Sequence, residues 1–129
     1  MIKELNHIGL NTGDVEKSID FYVNTLGMTI RTTWGGVGSR AALLAIGDGS
    51  HIELFEGGDD DKTEPPMQAG EWFHLALRTE DPDGAFAKAV AWGARPKLEP
   101  KSAQIGDLPI RIAFVYGPSN EVIEFFKEG

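Results

Sequence analysis

The chain has 129 residues, a formal charge of −8 and no cysteine. That length suits one compact domain with a real core, and the missing thiols exclude thiolate metal sites, disulfide staples and cysteine nucleophiles. The acidic balance argues against nucleic acid and polybasic membrane partners, which need clustered Lys and Arg, and no apolar run approaches the ~20 residues of a transmembrane helix.

The opening MIKELNHIGL lacks the basic segment and long apolar core of a secretory leader, so a soluble cytoplasmic protein is expected. Residues 3–10 alternate as a strand, with Leu5, His7 and Gly9 on one face and Asn6, Ile8 and Leu10 on the other. Asp14 is placed to cap a helix over 15–26, whose stripe is Val15, Ile19, Tyr22 and Leu26 and whose closing residue is Gly27. Three strands follow at 28–34, 40–46 and 50–56, joined by Gly-rich turns at 35–38 and 47–49. Residues 57–71 are acidic, hold Pro65 and Pro66, and read as a connector; the Asp59–Asp61 run within it lacks the alternation of an EF-hand loop. The order then repeats: a strand at 72–78, Asp81 and Pro82 as cap and first residue of a helix closed by Gly93, then strands at 96–98, 111–116 and 121–126. Residues 101–109 read as a loop without an evident role.

Each half is thus a βαβββ module, and neither alone buries much apolar surface. The fold class is α+β. The two modules are expected to pool their strands into a curved eight-stranded mixed sheet, an open barrel-like cleft with the helices outside. Module one covers 1–57, the connector 58–71 and module two 72–129 of a single domain.

The repeat extends to polar residues. The His pair and the Asp pair are each 67 residues apart (7 to 74, 14 to 81), and the Glu pair 71 (53 to 124). Strand alternation sends Ile8, Leu10, Ile52, Leu54, Ile123 and Phe125 towards a helix. It sends His7, Glu53, His74 and Glu124 to the other face, where a curled sheet makes them converge. A lone strand His or Glu is ordinarily structural or solvated. Four at repeat-related places point instead to one divalent ion per site, with Zn, Ni, Co, Mn and Fe(II) all compatible. His51 shares the Glu53 face and is a rival ligand, although its place after a turn favours a solvated role. Arg78 faces the same cleft and suits an anionic substrate group or a surface ion pair. Trp34, Trp72, Phe55 and Phe126 suit a pocket lining or ordinary packing. The Gly35–Gly38 turn lacks the Lys-Ser/Thr of a P-loop, and Ser39 and Ser119 have no adjacent His to activate them.

Two segments resemble a known family. N-H-I-G-L followed by D-V-E-K-S-I-D-F-Y-V-N-T-L-G-M resembles the opening strand and helix of the vicinal oxygen chelate superfamily, and G-P-S-N-E-V-I-E-F-F resembles its closing turn and strand. That superfamily includes glyoxalase I, methylmalonyl-CoA epimerase, extradiol dioxygenases and the fosfomycin and bleomycin resistance proteins. The resemblance implies His7, Glu53, His74 and Glu124 as metal ligands, a set most like bacterial-type glyoxalase I. It also implies lyase or isomerase chemistry on a small carbonyl compound through a metal-bound enediolate. Glu124 would be the general base and acid, with Glu53 acting on the opposite side. A homodimer is a further implication. The alternatives are a non-catalytic small-molecule binding or antibiotic-resistance protein of the same fold, or a metal-dependent dioxygenase. Glyoxalase I relatives place an Arg shortly after the first His and an Asn shortly after the first Glu. Here those stretches are Gly9-Leu10-Asn11 and Leu54-Phe55-Glu56-Gly57, so use of glutathione does not follow from the resemblance.

Overall fold

The computed structural model describes residues 1–57 and 68–129. Most of the expected connector, including the Asp59–Asp61 run, lies outside the described residues, and the chain divides within that stretch into two compact units.

The first unit runs β1 (His7–Thr12), α1 (Val15–Ile19), a π-helical turn (Asp20–Thr25), β2 (Thr29–Trp34), β3 (Ala41–Ala45) and β4 (His51–Glu56). Its four strands form one mixed sheet in the order β1-β4-β3-β2, with β1 parallel to β4 and the other pairs antiparallel. The second unit runs β5 (Leu75–Arg78), α2 (Pro82–Trp92), β6 (Arg95–Ile105), β7 (Leu108–Tyr116) and β8 (Val122–Glu128). Its sheet has the matching order β5-β8-β7-β6, with β5 parallel to β8. The described residues thus hold eight strands in two four-stranded mixed sheets, one per βαβββ module.

Each core lies between a helix and one face of its own sheet. In module one Val15, Ile19, Phe21 and Tyr22 are buried with Ala42, Leu44, Ile52 and Leu54. In module two Phe86 and Ala89 are buried with Ala113, Val115, Ile123 and Phe125. The alternation that buries these residues turns their strand neighbours to the opposite face.

The capping chemistry is as expected. The Asp14 carboxylate accepts from Lys17 N at 3.1 Å and the Asp81 carboxylate from Gly84 N at 3.0 Å. Gly27 and Gly93 close the two helices at positive φ, 82° and 123°. The first helix is not uniformly α. It widens after Ile19, with Leu26 N bonding to Phe21 O at 3.1 Å, and both Phe21 and Tyr22 face inward in an edge-to-face contact.

Three expectations about strands change. The strand expected at 3–10 begins only at His7, and the one expected at 72–78 only at Leu75, because pairing to β8 begins at Leu75↔Ile123. Trp72 and Phe73 are consequently exposed. The loop expected at 101–109 is a β-hairpin, with Lys101↔Ile112 through Ile105↔Leu108 paired. Pro96 and Pro100 are tolerated in β6 because it is an edge strand.

Candidate functional site

Both modules build the same local arrangement. In module one Glu53 lies opposite Gly9, two residues after His7; in module two Glu124 lies opposite Ala76, two residues after His74. His7, at the start of β1, and His74, one residue before β5, are therefore diagonal neighbours of their Glu, within reach of a long side chain. A glycine or alanine opposite the Glu leaves the space between them clear. The contacts follow: His7 Nε2 stands 3.5 Å from Glu53 Oε1, and His74 Nε2 stands 2.9 Å from Glu124 Oε1.

The rings are oriented by different means. His7 Nδ1 donates to Asn6 Oδ1 at 2.8 Å, which leaves the Nε2 lone pair directed at a carboxylate oxygen. Two acceptors held face to face suit a cation between them. The His–amide contact is the outer support that imidazole ligands commonly carry. His74 is held edge-on by Phe73 and Phe114, with ring centroids 4.9 and 5.3 Å away. The Glu124 side chain is only 10% exposed, against 22% for Glu53. A carboxylate so enclosed requires a partner, and His74 is the one it meets.

His51 departs from the solvated role expected of it. It is 5% exposed. Its Nδ1 donates to the Asn6 carbonyl at 2.9 Å, and its Nε2 accepts from Arg31 Nη1 at 2.8 Å. With both nitrogens engaged, this ring has no lone pair left for a metal.

The expected pocket residues lie on the same faces as the His–Glu pairs. Trp34 and Phe55 meet edge to face at 6.2 Å, in one cross-strand row through Ala41. Phe126 and Arg78 pair across β8 and β5 one row beyond Glu124, and Arg78 also reaches Glu128 at 3.4 Å. Trp72 is almost fully exposed. Sequence reading missed Asn6 and Phe114, the residues that orient the two imidazoles. The signal for Asn6 was its adjacency to His7; Phe114 was visible only once its register with Glu124 was known.

Among the described residues no group of three or more His, Asp or Glu gathers as an ion site; the donors occur as two pairs, one in each module. Their chemistry fits a divalent ion of the Zn-to-Mn range, since neutral imidazole and ionised carboxylate are its usual ligands. No helix among the described residues is long and apolar enough to cross a membrane.

Comparison with known proteins agrees with this architecture. The chain is 34% identical over 134 residues to the uncharacterized protein YwbC of Bacillus subtilis (strain 168), a match covering 98% of this chain and 99% of that protein. It is 31% identical over 129 residues to the lactoylglutathione lyase of Escherichia coli O157:H7, covering 96% of this chain and 92% of the enzyme. Its fold matches the crystal structure of the fosfomycin resistance protein FosX from Listeria monocytogenes, complexed with Mn(II) and sulfate, with a TM-score of 0.71 and 23% identity over 98% of this chain and 93% of that one. A family model matches residues 4–125, and the chain belongs to the Glyoxalase/Bleomycin resistance protein/Dioxygenase superfamily.

Proposed function

We propose that this protein is a divalent-metal-dependent lyase or isomerase of the glyoxalase I-like kind, acting on a small carbonyl compound. The observation that carries the reading is the repeated pairing of an imidazole Nε2 with a glutamate oxygen, at 3.5 Å in one module and 2.9 Å in the other. The similarity to a lactoylglutathione lyase at 31% identity supports it. His7, Glu53, His74 and Glu124 would together hold one ion, because each pair alone offers two donors and such ions take four or more. When bound, the ion supplies Lewis acidity, which acidifies a carbon next to a carbonyl and offsets the developing negative charge.

The protein's own groups do the rest. Glu124, the more enclosed carboxylate, takes the proton from one carbon and returns it to the neighbour. Glu53 would act on the opposite side of the substrate. Trp34, Phe55 and Phe126 supply apolar lining, and Arg78 a cation at the margin. The working species is a homodimer in the cytoplasm.

The test uses a substrate-independent readout. Protein loaded with Ni, Zn, Co, Mn or Fe(II) is incubated with hydroxyacetone in D2O, and exchange of the carbon-bound protons is followed by NMR. Metal-dependent exchange is expected. Glu124→Gln should slow it by about a hundred- to ten-thousandfold, the usual worth of a positioned acid–base group. Exchange that is indifferent to metal, or undiminished in Glu124→Gln, overturns the proposal.

A further inference from the structure

Both modules carry a bulged cation beside the His–Glu pair. In β2 the register skips between Ile30↔Leu44 and Thr32↔Leu43, leaving Arg31 as the extra residue. In β6 it skips between Pro96↔Val115 and Leu98↔Phe114, leaving Lys97. Leu43 lies opposite Glu53 and Phe114 opposite Glu124, so the two bulges occupy the same place relative to the two glutamates. A bulge redirects the extra side chain out of the regular alternation. Arg31 extends past Ala45 to His51, two residues from Glu53 on the same strand face. Lys97 donates to the Tyr116 hydroxyl at 3.2 Å, two residues from Phe114 on the Glu124 face.

The group that holds Arg31 is an imidazole. Arg40, Arg78 and Arg111 pair with Glu16, Glu128 and Asp83. Among the described residues Arg31 has no carboxylate partner. Its contact is the lone pair of His51, whose other nitrogen is tied to the Asn6 carbonyl. Such a contact directs a guanidinium without cancelling its charge. In a chain with 20 acidic and 12 basic residues, an arginine held this way is available for a ligand. Its remaining N–H donors form a planar fork matched to a carboxylate.

The geometry points to a substrate that carries a carboxylate, taken by Arg31, with His51 as the positioning residue that aims it. This rests on the proposed chemistry at the His–Glu pairs and narrows its substrate class: the reacting carbonyl sits at the metal donors and the anionic tail reaches the bulge.

The test separates this inference from the reading beneath it. Acetohydroxamate and its carboxylate-bearing homologue N-hydroxysuccinamic acid chelate metal through the same adjacent oxygens and differ in the tail. Isothermal titration of metal-loaded protein should show the acidic homologue binding roughly ten- to a hundredfold more tightly, as one charge-assisted bidentate pair gives. Arg31→Met should abolish the preference and leave acetohydroxamate affinity unchanged. His51→Phe should reduce the preference while keeping the arginine. Equal affinities in the parent protein, or a preference that survives Arg31→Met, overturn the inference. Should neither hydroxamate bind, the metal reading fails and the inference is decided on metal-free protein with succinate. There the Arg31 Nε–H resonance, assigned by its loss in Arg31→Met, must shift on titration and do so less in His51→Phe. An unmoved resonance overturns the inference.

Discussion

His7 and His51 face each other across the β1–β4 ladder, and their rings are used differently because their neighbours differ. Asn6 serves both. Its side-chain oxygen accepts from His7 Nδ1 and its backbone carbonyl from His51 Nδ1. His51 then meets Arg31 with its second nitrogen, whereas His7 keeps Nε2 for Glu53. Strand alternation was enough to put His7, His51 and Glu53 on one face. It was not enough to tell ligand from support, because the partner of His51 sits on a bulge that no alternation reveals. The role of Asn6 is testable. Asn6→Ala removes the acceptor that fixes the His7 tautomer, and metal affinity should fall about ten- to a hundredfold, as it does when such outer partners are lost. Competition with a chelator measures this, and unchanged affinity would show that His7 is oriented by something else.

The two helices show how an element adapts one pattern to two lengths. Between the capping Asp and the closing Gly, module one has one residue more than module two (14 to 27 against 81 to 93). The π-helical turn at Asp20–Thr25 absorbs it, a common way for a helix to accept a single insertion. Caps and apolar spacing made both helices legible, but the widened turn was not, since the stripe was read at 3.6 residues per turn. The part of the β6–β7 hairpin over 101–109 was missed because three prolines, Pro96, Pro100 and Pro109, and two register shifts erase the alternation. Phe21 is fully buried within the widened turn. Phe21→Ala should lower unfolding free energy by ~3–5 kcal/mol in urea titrations. A loss under about 1 kcal/mol would mean the turn relaxes to regular α-helix and refills the space. In module two, Arg111 clasps Asp83 with contacts of 2.9 and 2.7 Å, joining the first turn of α2 to β7. The Arg111 hydrogen bonds hold the Asp83 carboxyl below its ordinary value. A carboxyl depressed by folding stabilises the protein above its unfolded pKa of about 3.9 and ceases to do so as pH falls through the folded value. Arg111→Met should therefore melt slightly lower than the parent at pH 7. The gap should begin to close near pH 4 and vanish once Asp83 is protonated. A gap that persists in strong acid would assign the effect to lost packing instead.

Across the whole chain, the register explains why the His and Glu offsets differ, 67 against 71. The span from capping Asp to closing Gly is one residue shorter in module two, so equivalent places after it lie 66 apart, as Arg31 and Lys97 do. The β6–β7 hairpin is then five residues longer, 98 to 114 against 32 to 43, which brings the final strands to 71. The equivalence of Glu53 and Glu124 thus follows from strand pairing as well as from sequence likeness. This repetition makes a demand on metal binding. Two donors per module fall short of a divalent ion's coordination, so the proposed site requires both pairs at once. Isothermal titration of metal-free protein should find one ion per chain, and His7→Ala and His74→Ala should each abolish stoichiometric binding. The bound ion should also raise thermal stability, by about 2.7 kcal/mol at a free concentration a hundred times its Kd. If each pair instead bound an ion by itself, the count would be two per chain and each variant would keep one. The two cases differ by a whole number, so stoichiometry distinguishes joint ligation by the modules from separate binding.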